Sequence, residues 1–302
     1  MAKTVLCLGH ITADRVLDVA AMPGAPGKYR AGALAFAPGG MAANAAIAIA
    51  RLGGRAVFCG RVGDDATGAA VLAALAERGV DTSLVRVAAG GRTSESAVIV
   101  APDGERMVVN FRGSGLVEDA AWLAPAHLVA ASVVLADVRW AEGAARVFAL
   151  ARELGVPSVL DADAADGATL HRLVGLADHA VFSAPGLADF AGERPIADGL
   201  AQALAAGATL AAVTRGEHGV AWMGRGDREP RHLAAFAVPA VDTLGAGDVF
   251  HGAYALALAE GRDPADALRF GAAAAAIKCT RKGLGDAVPT RGEADRLATA
   301  HA

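Results

Sequence analysis

Cysteine is scarce: Cys7, Cys59 and Cys279 stand far apart, and no Cys-x-x-Cys pair occurs. An odd, dispersed set excludes a disulfide framework and reads as free thiols buried in a reducing cytosol. Basic blocks are also missing and the net charge is −4, which argues against a nucleic-acid partner. Long apolar runs are absent too; the strongest near the middle, residues 128–136, is far too short to span a bilayer, so no membrane association is expected. The N-terminal apolar run lacks a persuasive cleavage site and reads as a first strand rather than a signal peptide. The Walker pattern Gly-x4-Gly-Lys-Ser/Thr does not occur, which closes the P-loop route to nucleotide chemistry. Repeats, heptads and low-complexity linkers are likewise missing, and a cytoplasmic chain is expected.

Apolar residues make up 54% of the 302, with 20% charged, so a large core is easily supplied. Strand-like runs at 4–9, 55–60, 132–137, 157–161, 179–183, 209–214 and 219–223 alternate with helical patterns at 41–52, 64–78, 141–154, 170–177, 196–206 and 264–280. Alternation of this kind predicts an α/β fold whose strands pair in parallel through right-handed crossovers. The rhythm breaks at 92–101 and 106–112, two strand-like runs flanking the turn Pro102-Asp103-Gly104, where a hairpin is expected. With the 15–37 segment it would make a small sheet projecting from the main body. A solvated terminal helix is expected after Pro289.

The stretch around which the rest is organised is Val241-Asp242-Thr243-Leu244-Gly245-Ala246-Gly247-Asp248-Val249-Phe250-His251-Gly252-Ala253-Tyr254. Small residues precede an apolar helix and leave its first amides uncovered, where the dipole favours an anion. Asp248, in the first turn, reads as a general base beside a phosphate cradle formed by Gly245, Ala246 and Gly247; helix capping is the simpler alternative. Asp14 follows the first strand, where ligands of α/β sheets gather. Asn44 is the one polar residue of the Ala/Ile-rich helix opened by Gly39-Gly40 and needs a partner, which a ligand hydroxyl would supply. Two cations and an amide, Lys28, Arg139 and Asn110, fall near the small sheet and the strand ends, a set suited to an anionic group.

The string Asp-Thr-x-Gly-Ala-Gly-Asp-x-Phe at 242–250 resembles the second signature of the ribokinase-like (PfkB) carbohydrate kinases, and Gly39-Gly40-x-x-x-Asn44 resembles the first. The resemblance covers nearly the whole chain. It implies a single kinase domain over 1–302, a three-layer α/β/α body with a mostly parallel sheet, and a β lid formed by about 12–37 and 92–112. ATP and Mg²⁺ are implied as cofactors, with sugar contacts from Asp14, Gly39, Gly40 and Asn44. Thr214-Arg215-Gly216-Glu217-His218-Gly219 is similar to the family's nucleotide-side Thr-x-Gly-x-x-Gly, placing Thr214, Gly216 and Gly219 along ATP. Asp242 and the 280–287 loop match the family's monovalent-cation position, so K⁺ is a candidate, with Asp242 as a helix cap the alternative. A homodimer sharing its lids is implied as well. Ser183 stands where the family usually carries the Asn of Asn-x-x-Glu; here the string is Ser183-Ala184-Pro185-Gly186.

Five short strings sharpen the resemblance. Gly27-Lys28-Tyr29, Leu135 to Trp140, Ser183-x-Pro185-Gly186-Leu187, Asp248 to Ala253 and Lys278-Cys279-Thr280-Arg281 resemble the bacterial 6-deoxy-6-sulfofructose kinases. That likeness implies a sulfonate held by Lys28, Asn110 and Arg139, and phosphorylation of the 1-hydroxyl to sulfofructose 1-phosphate. Asn44 departs from it, following the general pattern where that subgroup carries a smaller residue. The alternatives are a kinase for 2-keto-3-deoxygluconate, fructose, a fructose phosphate or ribose, or a catalytically silent sugar- or nucleotide-binding regulator.

Overall fold

A strand covered on both faces is apolar along most of its length, and the central strands follow that rule except near their ends, where Asp137, Ser158 and Asp161 are buried. The computed structural model describes residues 2–102, 104–283 and 285–300, so Asp103 of the expected hairpin turn and Leu284 of the 280–287 loop lie outside the described residues. The chain begins β1 (Thr4–Leu8), β2 (Thr12–Val19), β3 (Ala31–Gly39), α1 (Met41–Arg51), β4 (Arg55–Gly63), α2 (Ala66–Glu77) and β5 (Val80–Ala88). Next come β6 (Ser94–Val100), β7 (Arg106–Phe111), β8 (Val133–Asp137), α3 (Ala141–Leu154), β9 (Ser158–Ala162) and α4 (Gly167–Val174). There follow β10 (His179–Ser183), α5 (Ala184–Ala191), α6 (Ile196–Ala206), β11 (Leu210–Thr214), β12 (Val220–Gly224) and β13 (Arg231–Leu233). The chain closes with α7 (Ala246–Ala259), α8 (Pro264–Cys279) and α9 (Arg291–Ala300).

Nine strands form one sheet in the order β13-β12-β11-β10-β9-β8-β1-β4-β5. From β11 to β5 every pair is parallel; β12 and β13 add an antiparallel edge. One face is covered by a core drawn from α1, α7 and α8, the other by residues of α3, α4, α5 and α6. This is the expected α/β/α layering. The second sheet, β3-β2-β6-β7, is built from the segments expected to form the lid, with β6–β7 the expected hairpin and β2–β6 parallel.

Three elements were not foreseen. β5 mixes polar and apolar residues because it is the sheet's edge and is only partly covered. β13 is three residues long, too short for a periodic signal. α5 begins with Ala184-Pro185-Gly186, which reads as a loop; Ser183 caps it through Gly186 N–H at 3.0 Å, and proline is well tolerated in a first helical turn.

Helix α7 lies against α1 closely enough that a side chain at Gly252 would stand 2.5 Å from the carbonyl oxygen of Ala45. That approach brings Asn44 to the first turn of α7.

Candidate active site

The carboxyl edge of the parallel sheet gathers the polar residues that the core excludes, as open α/β sheets do. The ends of β1, β8, β9, β10 and β11 present Gly9 and His10, Asp137, Asp161 and Asp163, Ser183 and Thr214. The starts of α1 and α7 meet this edge.

At the start of α7, Gly245 takes φ 70° and supplies no side-chain cap. The Ala246 N–H turns back to Thr243 O at 3.2 Å, while the Gly245 and Gly247 N–H groups have no hydrogen-bond partner among the described residues. Two of the three expected cradle amides are therefore open. Asp248, half-buried in this turn, accepts a hydrogen bond from Asn44 Nδ2 at 2.7 Å. Burial raises its pKa to about 7, helped by the nearby Asp161 charge and opposed by Asn44 and His251. A carboxylate tuned there can take a hydroxyl proton at neutral pH. Asn44 keeps its buried Oδ1 without a partner, which is a place for a ligand hydroxyl to donate.

Helix α1 starts at Gly40, whose φ of 104° suits glycine and where a side chain would strike the carbonyl oxygen of His10 at 2.2 Å. The uncapped turn is met by Asp137, which accepts from Ala42 N–H at 3.1 Å and from Arg139 N–H at 2.8 Å. Full burial raises the Asp137 pKa to about 6 against those bonds. Asp14 sits in lid strand β2 with its carboxylate against Gly39; burial raises its pKa, and a bond with Ser96 opposes that rise. Asp14, Gly39, Gly40, Asn44 and Asp248 thus form one continuous run of contacts.

Beside it lies a cavity of about 480 Å³ lined in part by Ser183, Pro185, Leu187, Thr214, Gly216 and His218. Three of the four residues expected along the nucleotide line it. Gly219 does not; it has φ 75° in the turn entering β12, where a side chain would meet Leu233 O at 2.0 Å. Asp163 joins the two regions, accepting from Ser183 Oγ at 2.8 Å and from Arg139 Nη2 at 2.8 Å.

The three residues expected to hold an anion are not brought together by any contact. Arg139 is bound to Asp163 and to Ala164 O. Asn110 donates to Ser94 and Ser96 within the lid, and Lys28 is an exposed residue of the β2–β3 loop.

The cation position is also occupied. Lys278, fully buried, donates to Asp242 O at 2.9 Å and stands 3.5 Å from Asp242 Oδ1. The Asp242 carboxylate further accepts from Leu244 and Gly283 N–H at 2.8 Å each. Burial opposes its charge, but these donors and the ammonium hold its pKa below the usual range. A K⁺ ion beside that ammonium would set two cations on one carbonyl, so this donor set does not fit K⁺ as it stands. Among the described residues, no group of three or more His, Cys, Asp or Glu is arranged to hold a metal.

Sequence reasoning passed over Asp137, Asp161, Asp163, His251 and Lys278. The strand-end rule applied to Asp14 would have found the first three. His251 is almost fully buried, with Nδ1 2.7 Å from Gly247 O and 3.3 Å from Asp161 Oδ2, and Nε2 3.1 Å from Val181 O. In the sequence it stands only within the Asp248 to Ala253 string, where nothing marks these partners.

Comparison with known proteins establishes the family. The pfkB family carbohydrate kinase model matches residues 2–291. Ribokinase of Haemophilus influenzae is 31% identical, with 97% of each chain covered. A solved structure described as a "putative ribokinase" from Agrobacterium tumefaciens is 40% identical with a TM-score of 0.95, covering 100% of this chain and 99% of its own. Arabidopsis thaliana ribokinase complexed with ribose and ATP gives 0.84 at 26% identity, with 99% of each chain covered. No helix among the described residues is long and apolar enough to cross a membrane. The chain belongs to the PfkB family of carbohydrate kinases and is an ATP-dependent sugar kinase.

Proposed function

We propose that this kinase phosphorylates the 1-hydroxyl of a furanose ketose carrying an anionic group, with 6-deoxy-6-sulfofructose, giving sulfofructose 1-phosphate, as the specific candidate. The observation that carries the mechanism is Asp248, tuned to about 7, bonded to Asn44 and set in an uncapped helix start. Asp248 takes the hydroxyl proton, the oxygen attacks the γ-phosphorus, and the bond to the β-phosphate breaks to release ADP. Phosphoryl transfer asks mainly for positioning and charge stabilisation. The Gly245 and Gly247 amides receive the charge on the transferred group. Mg²⁺ held through ATP phosphates and water needs only one or two carboxylates, and Asp163 at the shared edge is placed to serve it; bound there, it would neutralise phosphate charge.

The five sulfofructose-kinase-like strings support the choice of anion. A second reading, a neutral ribose or fructose, is favoured by Asn44 and by Arg139's engagement with Asp163. ATP consumption across sulfofructose, fructose, fructose 6-phosphate, 2-keto-3-deoxygluconate and ribose decides between them. Sulfofructose is expected to turn over best; a neutral sugar winning would discard the anionic reading. No turnover with any sugar, together with ligand-dependent thermal shifts, would point to a binding protein.

The small sheet supports a homodimer. Its two edge strands expose Leu34, Phe36, Val108 and Val109, with Leu34 66% and Val109 62% exposed. Exposed apolar edges invite pairing. Light scattering is expected to give twice the chain mass, and a monomer at working concentration would remove the shared lid.

A further inference from the structure

Helix α7 carries a polar ring where its packing asks for none. His251 is 3% exposed in a stretch of buried residues, and its ring meets that of Phe250 edge-on at 5.7 Å. Burying an imidazole costs free energy unless its nitrogens find partners, and a leucine would fill the space without that cost. The neighbouring carbonyls are not orphans in need of a donor. Gly247 lies inside α7, and Val181 lies in β10 between two paired strands.

The head of the helix is where the ring is needed. Gly245 provides no side-chain cap, and the two glycines around Ala246 are conformationally free. A helix start built that way is held weakly by its own chain. It must nevertheless hold Asp248, and a misplacement of about 1 Å near a reacting centre can cost about 10²-fold in rate.

His251 reaches back one turn to this segment. Its Nδ1 stands 2.7 Å from Gly247 O, too close for two lone pairs to face each other. Burial lowers the ring's pKa against the pull of the two carbonyls and of Asp248 and Asp163, so at neutral pH it has one N–H to give. The shorter contact places that proton on Nδ1. Gly247 O shares a rigid peptide plane with Asp248 N, so the bond fixes the plane from which the Asp248 side chain springs.

The ring also touches the strands that face the helix head. Nδ1 lies 3.3 Å from Asp161 Oδ2 in β9, and Nε2 lies 3.1 Å from Val181 O in β10. Those strands lead to Asp163 and Ser183, which are bonded to each other at 2.8 Å. Tyr254 ties α7 to the opposite end of β10 through His179 Nδ1 at 2.6 Å. That second tie keeps the helix body in place without His251, so only the head would be loosened.

We infer that His251 is a positioning residue: by holding Gly247 O it sets Asp248 and the open amides of α7 against the ends of β9 and β10. The inference rests on the reading of Asp248 as the base.

Steady-state kinetics compare the wild type with His251→Asn, His251→Gln and His251→Phe. The sugar is sulfofructose, fructose, fructose 6-phosphate, 2-keto-3-deoxygluconate or ribose, whichever the wild type turns over fastest. Asn places an amide nitrogen near the position of Nδ1, Gln near that of Nε2, and Phe keeps the ring without a donor. His251→Phe should lower kcat about 10- to 100-fold. KM for sugar and ATP should stay within about 3-fold, as expected for an interaction that serves the transition state. His251→Asn should recover most of the lost kcat and His251→Gln little of it. Wild-type kcat in His251→Phe, a rise in KM with kcat unchanged, or equal recovery by Gln and Asn would each overturn the assignment. Should His251→Phe fold poorly, the order of the Asn and Gln variants carries the test.

A second readout needs no turnover. Long-range ¹H–¹⁵N spectra of histidine-labelled protein should show a ring protonated at Nδ1, assigned to His251 by its loss in His251→Asn. A proton on Nε2 alone overturns the proposal. Failure of the base reading shows differently: Asp248→Asn turns over near the wild-type level, while the Nδ1 proton of His251 is still observed.

Discussion

Asp248→Asn is expected to lower kcat by about 10²–10⁴-fold or more while leaving ATP affinity largely intact. The substitution is isosteric and keeps an oxygen for Asn44 Nδ2, now 2.7 Å from the carboxylate, so the α1–α7 contact survives. Only the proton acceptor is removed. In the proposed arrangement ATP affinity is set elsewhere, by the cavity lined by Ser183, Thr214 and Gly216. Turnover near the wild-type level would exclude Asp248 as the base. The pKa of about 7 adds a pH signature: kcat should fall as pH drops below 7, in step with the loss of carboxylate. Stability runs the other way. The folded pKa lies above the unfolded carboxylate value of about 4, so the native state retains a proton that the unfolded chain releases. This contribution to stability is full below pH about 4 and is lost as pH rises through about 7. Asp137, raised to about 6, adds a similar slope that the variant keeps. The Asp248→Asn variant should therefore show a flatter, though not flat, profile of Tm against pH than the wild type.

What the sequence disclosed, and what it hid, follows from the range of the forces involved. The α7 start was readable because its chemistry is local: Gly245, Ala246, Gly247 and Asp248 are consecutive, and a helix beginning needs no distant partner to expose its amides. The layered sheet was readable because burial on both faces leaves apolar runs. The partnership of Asn44 with Asp248 spans 204 residues and depends on how closely α1 meets α7, which Gly252 permits but does not announce. Arg139 shows the opposite failure. A cation after a strand looks available to a ligand, whereas Asp163, supplied by the next strand's end, has taken it.

Replacement of Lys278 is expected to have the next largest effect. Lys278→Met keeps most of the stem volume and removes the ammonium, leaving Asp242 O without its donor and the carboxylate with only the Leu244 and Gly283 amides. Breaking one side of a charge pair leaves the other uncompensated, at a cost of about 2–3 kcal/mol for a partner that is 24% exposed rather than sealed. Denaturant unfolding measures that loss. Function should suffer too, because Asp242 holds the Leu244 amide and so fixes the turn that delivers Gly245 to the head of α7. A tethered ammonium already supplies the positive charge that a monovalent ion would bring. Wild-type turnover should therefore be unchanged when K⁺ is exchanged for a bulky organic cation. In Lys278→Met the vacated donors become available to an ion, and turnover should rise again as K⁺ is added. A wild type stimulated severalfold by K⁺ would show that Lys278 does not fill the site, and a variant as stable as the parent would show that the Asp242 contact contributes little.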